Sequence, residues 1–273
     1  MKPAQSHLSL VLNGDKFWKY RLERDPTEGG KRRLKLQGKE LISVPLEVFD
    51  LEELQVLEMS PERESCLTYR MDLVPREIGQ LRNLSILNLD TNELKVIPAE
   101  IGALKNLERL TLSNNFLSFL PKEFGRLQKL TSLHLANNAF REFPIQICQM
   151  RNLTFLDASD NKIRTIPPSV ENLSKLETLL LFFNRLESLP ETFSNLRSLH
   201  TLWLGKNKLR TLPRKFGNLV NLEWGDNQCS SNFEGNPLEN PPLEICRGGP
   251  LEIKQYFAAW SDEGYLISYA AAF

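Results

Sequence analysis

The sequence predicts an α/β solenoid with a parallel concave sheet of about nine short strands and an irregular or short-helical convex side. The first observation is a 23-residue period between successive prolines, which are Pro75, Pro98, Pro121, Pro144, Pro167, Pro190 and Pro213. The second is that an Asn stands six residues before each of these prolines except the first. Self-similarity at a fixed period of about 20–50 residues is typical of repeat architectures.

The repeated unit itself explains why the chain should stack. The clearest unit, from Leu84 to Pro98, reads Leu-Ser-Ile-Leu-Asn-Leu-Asp-Thr-Asn-Glu-Leu-Lys-Val-Ile-Pro. Leu87 and Leu89 alternate with polar neighbours, which is the pattern of a short, half-buried strand. No single unit can bury its leucines, so adjacent units must cover one another. The leucine spacing therefore predicts a leucine-rich solenoid, or horseshoe.

The Asn of each unit falls where the chain leaves the strand and bends into the core. A buried carboxamide both donates and accepts hydrogen bonds, so it can satisfy backbone groups of its own and adjacent units. We expect a structural ladder through the array, formed by Asn92, Asn115, Asn138, Asn161, Asn184 and Asn207.

The chain is predicted to consist of an N-terminal arm or cap over residues 1–33 and a repeat domain over residues 34–245 with about nine repeats. Two units carry insertions, near residues 62–71 and 225–232. The basic run Lys31-Arg32-Arg33 precedes the first unit and is expected to be a solvated turn.

Residues 246–273 are predicted to form a C-terminal capping helix and tail. Ile253, Tyr256, Phe257 and Trp260 recur at the spacing of one helical stripe, which would cover the last repeat. The apolar end of the chain, 265–273, has no predicted role.

Composition argues against several classes of protein. Lys plus Arg and Asp plus Glu both number 34, whereas nucleic-acid binders usually carry a basic patch. No apolar run approaches the roughly 18 residues of a membrane span, and no secretory signal is visible. We predict a cytoplasmic protein, with the nucleus as an alternative, and expect Cys148 to be a buried, reduced thiol.

Catalysis finds no support in the sequence. His134 is expected on the concave face with no Ser or Cys nearby to activate, and Asp157 with Asp160 lacks a third ligand for a cation. The sequence therefore predicts a protein that is not an enzyme, with no catalytic residue, no metal site and no cofactor.

The predicted partner-binding surface lies on the concave face, where outward residues of adjacent strands form rows. Most of these residues are polar, but one cluster is apolar: Phe155, Leu180, Phe182, Phe183 and Trp203. Exposed aromatic clusters on a rigid scaffold are typical of interface anchors. The charged rim would comprise Asp157, Asp160 and Lys206. Two alternatives stay open: one end of the chain covers the cluster, or an aromatic ring points sideways into its neighbour.

The unit L-x-x-L-x-L-x-x-N-x-L-x-x-[LIFV]-P-x-x-[IFV]-x-x-L-x-N resembles one branch of the leucine-rich repeat superfamily. It is similar to the intracellular 23-residue class of Ras suppressor protein, the Soc-2 (Sur-8) scaffold and the scribble-like proteins. The segment Pro98-Ala-Glu-Ile-Gly-Ala-Leu-Lys-Asn-Leu107 carries the likeness well, and the resemblance covers about residues 34–245. It implies a horseshoe whose concave sheet binds proteins, among them small GTPases and phosphatase subunits.

The sequence therefore predicts an intracellular adaptor or scaffold in signal transduction that binds protein partners through its concave face. One alternative is a regulatory or targeting subunit of an enzyme such as a protein phosphatase. The other is an architectural protein of the cytoskeleton or cilium.

Overall fold

The computed structural model describes residues 21–61, 69–224 and 231–259. Nine strands form one sheet in chain order. They are β1 Glu23–Asp25, β2 Lys31–Lys35, β3 Val56–Glu58, β4 Ile86–Asn88, β5 Arg109–Thr111, β6 Ser132–His134, β7 Phe155–Asp157, β8 Thr178–Leu180 and β9 Thr201–Trp203. From β2 onward every pair is parallel, whereas β1 is antiparallel to β2. The predicted solenoid fold is confirmed.

Each strand from β2 to β9 contributes one leucine to the core side of the sheet. Leu87 pairs in register with Leu110, and the same alignment continues through every strand to Leu202. These side chains are fully buried, and so is the residue two positions later in each unit, which is a leucine such as Leu89 in most units and Met59 or Ala158 in two. Each unit therefore contributes a layer to one continuous core.

The convex side is formed mainly by short 3₁₀ helices, which follow the repeated prolines. They are Leu46–Asp50, Arg76–Gln80, Ala99–Ala103, Lys122–Arg126, Ile145–Gln149, Pro168–Asn172, Glu191–Asn195 and Phe216–Asn218. A proline such as Pro98 precedes each of these helices, and the ring of Pro98 fixes its φ at −67°. Proline has no backbone N–H, and none is needed at this position. Gly102 lies where a Cβ would stand 2.5 Å from the Glu123 carbonyl oxygen, so adjacent convex segments pack closely there.

The asparagines form hydrogen bonds that run from unit to unit. Asn161 Nδ2 donates to the Leu135 carbonyl of the preceding unit at 3.0 Å and to the Ala158 carbonyl at 3.2 Å. Its Oδ1 accepts from the Phe140 backbone N–H at 3.1 Å. Equivalent bonds are made by Asn92, Asn115, Asn138, Asn184 and Asn207. Asn236 extends the series into the last unit, with Nδ2 bonded to the Leu204 carbonyl at 2.8 Å.

The N-terminal hairpin of β1 and β2 corrects one expectation. The run Lys31 to Arg33 is not a solvated turn, because it lies in β2, where it pairs with β1 and where Arg33 also pairs with β3. Arg33 Nη2 donates to Glu58 Oε2 at 2.8 Å, and this guanidinium also lies 3.6 Å from Asp25. Backbone pairing and these carboxylates together explain why the basic residues are held in the sheet.

Helices lie within the first unit and at the C-terminal end. Helix α1, Lys39–Ile42, occupies the position at which the later units carry their ladder Asn. Helix α2, Leu243–Arg247, precedes a helix over residues 250–259. In that helix Ile253 is fully buried and Phe257 packs partly against the core, while Trp260 lies outside the described residues. Within the described ranges, no helix is long and apolar enough to cross a membrane.

The last unit closes the sheet without a further strand among the described residues. Asn232 forms an isolated parallel bridge with Trp203, and Ser231 occupies the place of the strand leucine. The Ser231 hydroxyl accepts a hydrogen bond from the Leu202 N–H at 3.2 Å. The two predicted insertions lie largely outside the described residues, and the predicted division into arm, repeat domain and cap remains a prediction.

Candidate binding surface on the concave face

The concave face divides into a polar N-terminal half and an aromatic C-terminal half. In the N-terminal half, polar side chains bond to one another: Asn88 Oδ1 accepts from Ser60 Oγ at 2.6 Å and from Thr111 Oγ1 at 2.7 Å. Asp90 accepts from the Ser113 N–H at 2.6 Å, and burial raises the pKa of its carboxyl. The acceptor atoms Asn88 Oδ1 and Asp90 Oδ1 are thus already engaged in intramolecular hydrogen bonds.

The N-terminal hairpin also reaches across this half. Glu28, in its turn, accepts from Arg109 Nη1 at 2.6 Å, and Lys31 Nζ lies 3.2 Å from Glu108. Arg109 belongs to β5, three strands from β2, a span of roughly 14 Å at the usual strand spacing. Ile86, at an outward position of β4 between them, is only 7% exposed. The hairpin therefore limits access to the N-terminal half.

Each of the six strands from β4 to β9 leads into a turn whose third outward residue has left-handed backbone geometry. The φ values are 61° at Thr91, 57° at Asn114, 52° at Asn137, 53° at Asp160, 53° at Phe183 and 55° at Lys206. Asn and Asp tolerate this region better than other L-residues, and a bulky residue there is an outlier. The sequence reasoning placed these residues in one row but did not predict their shared backbone conformation.

Phe183 is the exception within this row. Its side chain is 49% exposed, so burial of the ring in the core does not account for a phenylalanine here. A non-glycine residue in the left-handed region is disfavoured by about 1–2 kcal/mol. Such strained positions cluster at binding and catalytic sites.

The rings around Phe183 are in direct contact with one another. Phe182 and Phe183 meet edge to face with ring centroids 4.4 Å apart, and Phe182 and Trp203 meet similarly at 6.4 Å. Leu180 pairs in register with Trp203 on the neighbouring strand. We call these four residues, Leu180, Phe182, Phe183 and Trp203, the aromatic patch. The structure thus brings together four of the five predicted apolar residues.

Phe155 belongs to a neighbouring group instead. Its ring stacks on the imidazole of His134, with centroids 4.7 Å apart and planes inclined by 28°. Asp157 lies beside His134 in register, and its Oδ1 accepts from the Ser159 backbone N–H at 3.0 Å. Phe155 therefore lies outside the aromatic patch, next to its N-terminal edge and among polar residues of β6 and β7.

The expectation that no serine lies near His134 was wrong. Ser132 Oγ is 3.0 Å from His134 Nε2, because residues two apart in a strand share a face. Burial lowers the pKa of His134, opposed by the nearby Asp157 carboxylate. Within the described residues no hydrogen bond joins Asp157 to this imidazole, so the three residues do not form a relay of the Ser-His-Asp type.

The predicted rim charges lie at the edge of the patch. Asp160 and Lys206 are exposed and occupy left-handed positions on either side of Phe183. A Cβ on Gly235 would lie 2.7 Å from Lys206 Cδ, so the stem of this lysine rests against the last unit. Within the described ranges, no group of three or more His, Cys, Asp or Glu side chains could hold a metal ion.

Comparisons with known proteins agree with this fold. A family model described as leucine rich repeat matches residues 82–140, and one described as leucine rich repeats (2 copies) matches residues 151–195. No curated protein sequence matches the chain. Repeat solenoids of this fold commonly bind proteins through their extended concave surfaces.

Solved structures extend the likeness over most of the chain. A leucine-rich repeat protein of Leptospira interrogans is 36% identical and superimposes with a TM-score of 0.70, over 81% of this chain and 52% of that one. A TDR receptor is 30% identical, with a TM-score of 0.59, over 75% of this chain and 38% of that one. PEPR1, in its structure with AtPEP1, is 23% identical and superimposes with a TM-score of 0.62, over 76% of this chain and 27% of that one. At this identity the likeness shows the fold alone. The chain spans about half of the leptospiral protein and less of the TDR receptor and of PEPR1.

Proposed function

We propose that this protein is an adaptor that binds a protein partner through the aromatic patch on the C-terminal half of its concave face. The observation that carries the proposal is Phe183, an exposed ring at a left-handed position where most other units carry Asn, Asp or Thr. Fold stability alone favours a smaller polar residue there. A role in recognition accounts for the phenylalanine.

The neighbours of Phe183 support the same reading. Phe182 and Trp203 add aromatic surface on adjacent units, and Leu180 adds an aliphatic one. Aromatic residues held rigidly near the centre of a surface supply most of the binding energy at protein interfaces. The polar N-terminal half, with its internal hydrogen bonds and its hairpin, leaves the C-terminal half as the more accessible part.

The charged residues around the patch would set the orientation of the partner. Asp157 and Asp160 lie on one side and Lys206 on the other, so the rim presents both signs of charge. Rim charges of this kind affect specificity and the association rate more than affinity. Phe155, stacked on His134, would extend the contact beyond Asp157.

The kind of partner is proposed from the resemblance of the repeat unit. The 23-residue class of the Ras suppressor, Soc-2 (Sur-8) and scribble-like proteins favours a signalling role in the cytoplasm. A small GTPase or a phosphatase subunit is the partner that this resemblance suggests. One of the similar solved structures is a receptor, which is also a recognition protein. We propose no catalytic role for the chain.

The test is affinity capture from cytosol with the wild type and two variants, read by quantitative mass spectrometry. Phe183→Asn removes the ring and keeps a residue suited to the backbone, and Val220→Ser is a matched control at a 71% exposed convex site. The leading captured protein is then purified and titrated calorimetrically. We expect the Phe183→Asn affinity to fall by about 30-fold, since hot-spot truncations are worth about 2 kcal/mol or more. Equal affinities of all three proteins would refute the assignment of the patch.

A further inference from the structure

A second surface lies on the side of the solenoid, where each unit runs from its ladder Asn to its proline. Outward residues of successive units stand side by side there: the Arg164 N–H donates to the Arg141 carbonyl, and the Glu187 N–H donates to the Arg164 carbonyl, both at 3.2 Å. The Lys162 N–H bonds to the Phe140 carbonyl of the unit before it at 2.8 Å. We call this the lateral face.

The C-terminal part of the lateral face is basic. Its exposed cations are Arg141, Lys162, Arg164, Arg185 and Lys208. In the part of the chain that the structure describes, none of these five has an ion-pair partner, whereas the neighbouring Arg210 lies 2.6 Å from Glu239. The carboxylates among them are Glu142 and Glu187, so cations outnumber anions by five to two.

The cations of the lateral face lie beside a largely apolar groove. The groove has a volume of about 370 Å³ and is lined by apolar side chains such as Phe119, Phe143 and Ile145. Glu142 and Thr165 also line it, and they directly follow Arg141 and Arg164 in sequence. Phe119 and Ile145 are 54% and 57% exposed. An internal cavity of about 150 Å³ accommodates benzene, so this groove has room for one or two large apolar side chains.

We propose that the lateral face binds an acidic segment of a protein partner, with an apolar side chain of that segment in the groove and its carboxylates on Arg141 and Arg164. Charge complementarity carries the choice of partner, because unpaired cations on one face attract and orient an anionic chain. Arg141 immediately follows the groove residue Phe140 in sequence, so one short segment can reach both the groove and the cations.

A protein segment fits this face better than an anionic membrane. The apolar side chains line a groove instead of forming a projecting tip, and Glu142 and Glu187 stand among the cations. An extended peptide can place its carboxylates on the cations and away from Glu142 and Glu187, whereas a uniformly anionic lipid surface would be repelled by both carboxylates. The groove belongs to the units of β5, β6 and β7 and the aromatic patch to those of β8 and β9, so the adaptor would hold two protein segments at once.

The experiment is a selection of random dodecapeptides displayed on phage against the full chain, followed by fluorescence anisotropy with a labelled selected peptide. The variants are Arg141→Glu/Arg164→Glu and Phe119→Ser on the lateral face. Arg126→Glu is the charge control at an exposed convex position, and Phe183→Asn reports on the aromatic patch. Circular dichroism verifies that each variant is folded.

We expect selected peptides rich in Asp and Glu around one aromatic or large aliphatic residue. Their affinity should fall about tenfold or more in both lateral variants, weaken with added salt, and stay unchanged in Arg126→Glu and Phe183→Asn. Selection of peptides without acidic enrichment, or of none, would overturn the proposal. So would peptide binding that survives the lateral substitutions and disappears in Phe183→Asn. Phosphatidylserine vesicles are the last arm, and salt-sensitive vesicle binding lost in Arg141→Glu/Arg164→Glu, without peptide binding, would assign the face to a membrane.

Discussion

Replacing Phe183 with Asn and, separately, with Ala should separate backbone strain at this residue from the loss of its ring. Phe183 has φ 53°, a conformation that Asn tolerates and Ala does not. Both substitutions remove the edge-to-face contact with Phe182, so that loss is common to the two variants. The difference in their stability therefore reports on the backbone.

The expected magnitude follows from these two effects. An L-residue in the left-handed region is disfavoured by about 1–2 kcal/mol, and Asn relieves a good part of that. The contact with Phe182, with centroids 4.4 Å apart, is worth about 0.5–1.5 kcal/mol and cancels in the comparison. We expect Phe183→Asn to be more stable than Phe183→Ala by about 1 kcal/mol.

Equilibrium unfolding in urea measures this difference. With a slope of about 2–3 kcal/mol/M, the midpoints of the two variants should differ by about 0.3–0.5 M. The matched control is the same pair of substitutions at Phe119, which is similarly exposed and has no left-handed backbone. There the Asn and Ala variants should agree within about 0.5 kcal/mol.

Two outcomes would refute the reasoning. Equal midpoints for the two Phe183 variants would mean that the left-handed turn imposes no strain on this residue. The same gap at Phe119 would mean that Asn and Ala differ for reasons unrelated to backbone geometry. In either case the strain at Phe183 would no longer support the aromatic patch as a binding site.

Two further predictions concern buried groups. Asn161→Ala leaves the buried Phe140 N–H without its partner, while the Leu135 carbonyl keeps its second donor, Asn138 Nδ2. The free energy of unfolding measured in urea should therefore fall by about 1–3 kcal/mol, whereas the exposed Asn172→Ala should change it by less than about 0.5 kcal/mol. Equal effects of the two substitutions would show that the ladder bonds are dispensable. Burial raises the pKa of the Cys246 thiol to about 12 from its ordinary 9.0. The thiol ionises at lower pH in the unfolded chain than in the folded one. The free energy of unfolding should therefore decline as pH rises from about 9 toward 12, by at most about 1.4 kcal/mol per pH unit. A matching decline in Cys246→Ala would show that other groups cause it.

The period of the sequence predicted the array because each repeated residue type has one physical role. Leucines at fixed spacing required a shared core, and the Asn before each proline marked the bend into it. Asn236 also stands six residues before a proline, Pro242, and this spacing could have added it to the expected ladder. The N-terminal hairpin lies outside the period, so repeat reasoning gave no signal for β1.

The candidate sites were predicted less completely. Row positions alone grouped Phe155 with the other apolar residues, whereas its ring stacks on His134. This side-chain conformation depends on packing between units, which row positions do not report. Ser132 and His134 are two residues apart in a strand, a spacing that already placed them on one face. The left-handed row had a signal in Asn114, Asn137 and Asp160, since these residue types favour that conformation. No signal in the sequence pointed to the lateral groove, because its lining residues come from adjacent units and meet only in the folded array.

The two ends of the sheet determine how the array can change in length. At one end β1 is only three residues long and consists of Glu23, Arg24 and Asp25, and short charged strands at a sheet edge resist pairing with another chain. At the other end, the Ser231 hydroxyl and a single bridge meet β9 in place of a full strand. Among the described residues, neither end offers a long open strand to a second molecule. Whole units can therefore be inserted or removed in the interior of the array, while the same two ends continue to protect it from edge-to-edge aggregation.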